Sequence, residues 1–128
     1  METRSSNGSS AEVLATVIEG INPDMDLFTQ EAFGPVLCLT PIASLDEAVT
    51  IINACKYGLS SSIHTGKHMS ALALARRLKV SATHVNGPTV HDECTHPHGG
   101  HGDSGWGRFG GQLGLLEFVH TKTVKLNT

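Results

Sequence analysis

Between His84 and Gly111 the sequence gathers side chains that can move protons or donate lone pairs. Five of the eight histidines (His84, His91, His96, His98 and His101) fall there, with Asp92, Glu93, Cys94 and Asp103 among them. Imidazole titrates near neutrality, so one histidine can give a proton to a carbonyl while another takes one. His98, His96, His101, His91 and Asp103 are therefore the candidate catalytic residues, with Asp103 or Asp92 orienting an imidazole. The same stretch allows two other readings. His96-x-His98-x-x-His101 with Asp92 or Asp103 could offer three nitrogens and an oxygen to a metal, but the spacing matches no standard zinc pattern and no metal is assigned. Or the residues form a solvated surface. Cys94 could serve as a nucleophile with His91 or His96 as base, although a lone loop cysteine is more often incidental. Cys94, Thr89, Trp106 and Phe33 are the candidate substrate contacts, and Trp106 and Phe109 read first as core residues.

These side chains need a scaffold, and the pattern supplies one. Eight of the fourteen glycines lie in Gly87–Gly111, a stretch of about 25 residues too long for an idle connection. Before it, apolar β-branched runs predict strands at Glu12–Ile18, Val36–Thr40, Ser60–His64 and Thr83–Asn86. Ser44-Leu45-Asp46-Glu47 is a capping box, which starts a helix with Leu45, Ala48, Val49 and Ile52 on one face. Gly58 is expected to supply a left-handed stop. A second helix is predicted over 67–79, with Met69, Leu72, Ala75 and Leu78 as its apolar row. Leu113–Val119 suits a helical turn or two, and the alternating Thr121–Leu126 suits a final strand. Strand and helix alternate, so the expected fold is α/β, a small parallel-sheet layer with flanking helices. Residues 1–10 are expected to form a disordered tail before a domain over 11–128.

Composition narrows the partners. The chain has 128 residues, 9 basic and 12 acidic, for a formal charge of −3, with no Lys or Arg run. That balance argues against nucleic acid. No apolar stretch approaches the ~18–20 residues of a membrane span, and the polar N-terminus is no signal peptide. Three cysteines without a CxxC pair fit a reducing, cytoplasmic setting better than a disulfide framework.

Four segments carry a specific resemblance. Gln30-Glu31-Ala32-Phe33-Gly34-Pro35-Val36 resembles the ExFGPV motif of the NAD(P)-dependent aldehyde dehydrogenases, and Tyr57-Gly58-Leu59-Ser60 their YGLs segment. His84–Glu93 resembles the VNGPTVHDE loop of the vanillin and salicylaldehyde dehydrogenase branch, and Gly102–Gly111 its GDSGxGRFGG run. The order is the family's, over about Val13 to Leu126. The resemblance covers only the C-terminal end of that family. It implies the later part of the catalytic domain and an intersubunit strand matching Thr121–Leu126. It leaves out the Rossmann-type domain and the segments that carry the nucleophilic Cys, the general-base Glu and the oxyanion-hole Asn. Residues matching Glu31 and Phe33 contact the nicotinamide ribose and ring in the family. Without an adenine or pyrophosphate site, no cofactor is expected for this chain alone.

One departure stands out. Where the branch reads roughly QMPFGGVGDSG, this chain reads Thr95-His96-Pro97-His98-Gly99-Gly100-His101-Gly102-Asp103-Ser104-Gly105. Three apolar positions are histidines, and His98 matches an aromatic residue that lines the family's substrate channel. The resulting expectation is a stand-alone truncated protein repurposed as an NAD-independent enzyme. It would catalyse an isomerase, cyclase or lyase-type step on a carbonyl or aromatic metabolite of specialised metabolism, and would form a homodimer through its C-terminal strand. The alternative is a non-catalytic remnant, an assembly module or half of a split dehydrogenase.

Overall fold

The computed structural model describes residues 4–5 and 11–127. The expected tail over 1–10 lies mostly outside these residues; within it, Arg4–Ser5 (β1) pairs antiparallel with Ala11–Glu12 (β2). The chain divides into two compact units, Met1–Ala48 and Val49–Thr128. Both follow the expected α/β plan.

In the first unit Thr16–Glu19 (β3) and Val36–Leu39 (β4) run parallel, with Thr16 opposite Val36 and Glu19 opposite Leu39. Parallel strands need a crossover. This one begins with an Asx turn, in which the Asp24 amide donates to Asn22 Oδ1 at 3.0 Å. It continues through Asp26–Thr29 (α1), a short helix the apolar pattern does not announce. The predicted first strand is thus split into β2 and β3. The register partners Val17 and Leu37 are 59% and 57% exposed, so the outer face of the pair is apolar and uncovered.

Leu45–Ala54 (α2) starts where the capping box puts it. Ser44 Oγ accepts from the Glu47 amide at 3.1 Å, and Glu47 Oε2 reaches back to the Ala43 amide at 2.7 Å. In the second unit Ser60–Ile63 (β5) and Ala82–Val85 (β6) form another parallel pair, joined through His68–Ala75 (α3), which packs on β6. The apolar row of α3 differs from the one expected. Ala71 and Leu78 are buried, whereas Met69 is 77% exposed, because the small Ala71 permits the close approach of helix to strand. Gly58 is not among the glycines with positive φ, so it is no left-handed stop. It is glycine for space: a Cβ there would meet the Lys79 carbonyl at 2.5 Å.

Gly111–Leu116 (α4) closes the ordered elements. The expected strand at Thr121–Leu126 does not form. A strand exists only through a ladder partner, and no described residue pairs with it. Among the described residues the buried apolar side chains are Val49, Ala71 and Leu78, all in the second unit. No described helix is long and apolar enough to cross a membrane.

Candidate functional site

All the candidate residues except Phe33 lie in the second unit, on the segment from Pro88 to Gly111. It leaves β6 through Asn86, which holds a positive φ of 57°. That conformation is affordable because the Asn86 side chain clamps Thr65, accepting from its amide at 2.8 Å and donating to its carbonyl at 2.9 Å.

The glycine-rich part is held by backbone. The His101 amide donates to Gly58 O at 3.0 Å, the Asp103 amide to Lys56 O at 2.9 Å, and the Gly58 amide to Ser104 Oγ at 3.0 Å. Arg108 is half-buried and bonds two carbonyls of the turn, Gly100 O at 2.8 Å and Gly107 O at 2.6 Å. Gly100 is buried and has no room for a side chain, since a Cβ would run into the Ser104 backbone. His98 and Phe109 close the turn as an antiparallel bridge, with His98 N to Phe109 O at 2.7 Å and Phe109 N to His98 O at 2.8 Å.

The histidines do not gather around one point. His91 Nε2 lies 3.1 Å from Glu93 Oε1, and His96 Nε2 lies 3.9 Å from Glu93 Oε2, so these two share one carboxylate. His98 stands apart from them. Its Nδ1 lies 3.6 Å from Asp92 Oδ1, and its ring meets the Phe109 ring at a 5.0 Å centroid distance, tilted by 51°. The His98 side chain is 28% exposed, against 61% for His91 and 70% for His96. His101 is exposed, and Asp103 is 3.9 Å from Lys56 Nζ rather than beside an imidazole. No group of three or more His, Cys, Asp or Glu among the described residues is arranged to hold a metal ion.

The substrate-contact candidates are equally open. Cys94 is an exposed free thiol, and its carbonyl accepts from the Gly111 amide at 2.9 Å. Thr89 is exposed in a turn. Trp106 is 96% exposed and Phe109, which meets only the His98 ring among the described aromatic contacts, 61%, which corrects the reading of both as core residues. Phe33, in the first unit, is 97% exposed on the turn where the Gly34 amide reaches Ala32 O. The described residues do not by themselves fit a dinucleotide. The glycine turn carries no lysine, and it leads into a helix of only six residues. Reasoning from residue types missed Arg108 and Ser104. Their signal is positional, polar groups placed among glycines whose carbonyls and amides need partners.

The profile of the aldehyde dehydrogenase family matches residues 2–124. The benzaldehyde dehydrogenase of Pseudomonas putida is 39% identical over 88% of this chain and 23% of its own length. The vanillin dehydrogenase of an Amycolatopsis is 42% identical over 88% and 24%. Among solved structures, the succinic semialdehyde dehydrogenase of Streptococcus pyogenes superposes with a TM-score of 0.85 at 29% identity, over 91% of this chain and 25% of that one. The salicylaldehyde dehydrogenase of Pseudomonas putida G7 gives 0.80 at 32%, over 87% and 22%. The chain thus spans about a quarter of the length of the relatives it matches.

Proposed function

The chain belongs to the aldehyde dehydrogenase family, and from that premise we propose that it forms the substrate-facing part of an aldehyde-oxidising unit. It works together with the remaining three-quarters or so of the family fold, supplied in the same polypeptide or by another. One observation carries this reading. Phe33, in a family motif, and Trp106, at the open position of another, stand 97% and 96% exposed, as residues do when their covering partner is elsewhere. The substrate class is a small aromatic aldehyde, after the relatives' names. The resemblance gives Glu31 and Phe33 a place beside the nicotinamide ribose and ring once the dinucleotide-holding segments are present. It gives His98 a place along the substrate channel, and Thr89, Cys94 and Trp106 are the further substrate contacts proposed beside it. Thr121–Leu126, with Leu126 89% exposed, serves as the strand that joins two copies. Three free thiols suit a cytoplasmic setting.

A second reading is favoured by the pairing of His98 with Asp92. In it the chain alone runs an NAD-independent isomerisation, cyclisation or lyase-type step, with His98 as acid/base and His96, His101, His91 and Asp103 assisting. One experiment separates the two. The purified chain is mixed with the N-terminal three-quarters of the Pseudomonas putida benzaldehyde dehydrogenase, and NADH formation from benzaldehyde is followed. Association and turnover by the mixture, with neither part active alone, is the expected result. A mixture that neither associates nor turns over defeats the first reading. Turnover of a carbonyl metabolite by the chain alone, lost in His98→Ala at unchanged melting temperature, establishes the second.

A further inference from the structure

We infer that His98 is a specificity-determining residue whose Nε2 accepts a hydrogen bond from a donor group on the substrate, a hydroxyl or N–H, and that Asp92 is the positioning residue that makes it an acceptor. The inference rests on the reading that this segment faces the substrate. Its physical content lies in the ring itself.

A neutral imidazole carries one proton on one of two nitrogens, and the neighbour of the first nitrogen decides which. The Asp92 carboxylate faces Nδ1 at 3.6 Å. That is longer than a hydrogen bond, but the negative charge still favours the proton on the nitrogen it faces. Nε2, on the opposite edge of the ring, is then left with a lone pair and has no hydrogen-bond partner among the described residues. Two further features hold the ring in place. The bridge to Phe109 fixes the His98 backbone with bonds of 2.7 and 2.8 Å, and the tilted Phe109 ring limits rotation about χ2. The other loop imidazoles lack this arrangement. His91 and His96 present Nε2 to Glu93, so the edge that would meet a ligand already faces a carboxylate. Asp92 is the charged group in contact with His98, and Arg108, next in sequence to its bridge partner Phe109, turns its guanidinium to the Gly100 and Gly107 carbonyls.

An aromatic wall at this position would treat a hydroxyl and a methoxy group on the substrate nearly alike. An acceptor held in place would not, because the methoxy analogue leaves Nε2 unpaired. The test has two arms. Long-range ¹H–¹⁵N correlation on the chain itself reads the tautomer of His98, with the Nδ1–H form expected in the wild type and a shift toward Nε2–H in Asp92→Asn. A wild-type Nε2–H tautomer, or no response to Asp92→Asn, overturns the proposal whatever the reconstituted enzyme does. In the reconstituted mixture, kcat/KM is compared for hydroxybenzaldehydes and the matching methoxybenzaldehydes. His98→Phe is expected to lower the hydroxy-over-methoxy preference about fivefold, and Asp92→Asn to lower it less. Equal losses on both series would mean a merely structural role and overturn the proposal. A wild-type mixture inactive on every aldehyde counts against the reading of the preceding subsection and leaves the tautomer arm to decide this one.

Discussion

The two halves of the site segment differ in what their contacts reach. From Gly99 to Gly111 the contacts end on backbone: amide to carbonyl, the Arg108 guanidinium to two carbonyls, and glycine against the next turn. From His91 to His98 backbone bonds at Cys94, His96 and His98 are joined by side-chain pairs that stand mostly in solvent. Backbone contacts depend on what is absent, a Cβ, and almost any substitution disturbs them. Side-chain contacts on an exposed stretch can be exchanged at small cost. A chain keeping one turn while altering its chemistry would therefore change where side chains stand in solvent. The histidines at 96 and 98 fall in the second half, and His101, the one that falls among the glycines, is also exposed.

Three substitutions test that contrast. Gly100→Ala should have the largest effect, on the order of 3 kcal/mol lost in urea unfolding, because the new Cβ meets the Ser104 backbone, which cannot yield without moving the turn. A tolerated alanine would show that the turn is not close-packed. Arg108→Met comes next, at about 1–2 kcal/mol, since it leaves the Gly100 and Gly107 carbonyls without their shared donor. Glu93→Gln should be nearly silent, within about 0.5 kcal/mol and insensitive to salt, because its two imidazole partners are 61% and 70% exposed. A loss above about 1.5 kcal/mol would mean that the histidine half is a structural clasp, and the contrast would collapse.

Local signals in the sequence were reliable where the cause is local. The capping box at Ser44 and Glu47 depends on neighbours within a few residues. What needs a distant partner was not legible. The register that buries Ala71 rather than Met69 depends on β6, and Thr121–Leu126 alternates as a strand does yet finds no ladder. In the site, residue type identified the histidine stretch but not its pairing. That Glu93 holds two imidazoles while Asp92 turns toward a third follows from the turn at 93–96, where the His96 amide bonds Glu93 O. Composition carries no trace of it. The same limit explains Trp106, whose type reads as core and whose position is 96% exposed.

The two parallel ladders, β3 with β4 and β5 with β6, are each only two strands wide. Parallel sheets are normally covered on both faces and continued at their edges. Among the described residues each of these four strands has a ladder partner on one side only. On the proposed reading, with the completing strands supplied by another polypeptide, this ties the lifetime of the chain to company. Mass action with whatever completes the ladders raises the folded fraction, and copies left without it return to the unfolded pool, where proteases and chaperones compete for them. Steady-state abundance then reports the concentration of the completing partner, and a pulse-chase half-life that lengthens as that partner is supplied would measure its affinity without any assay of chemistry.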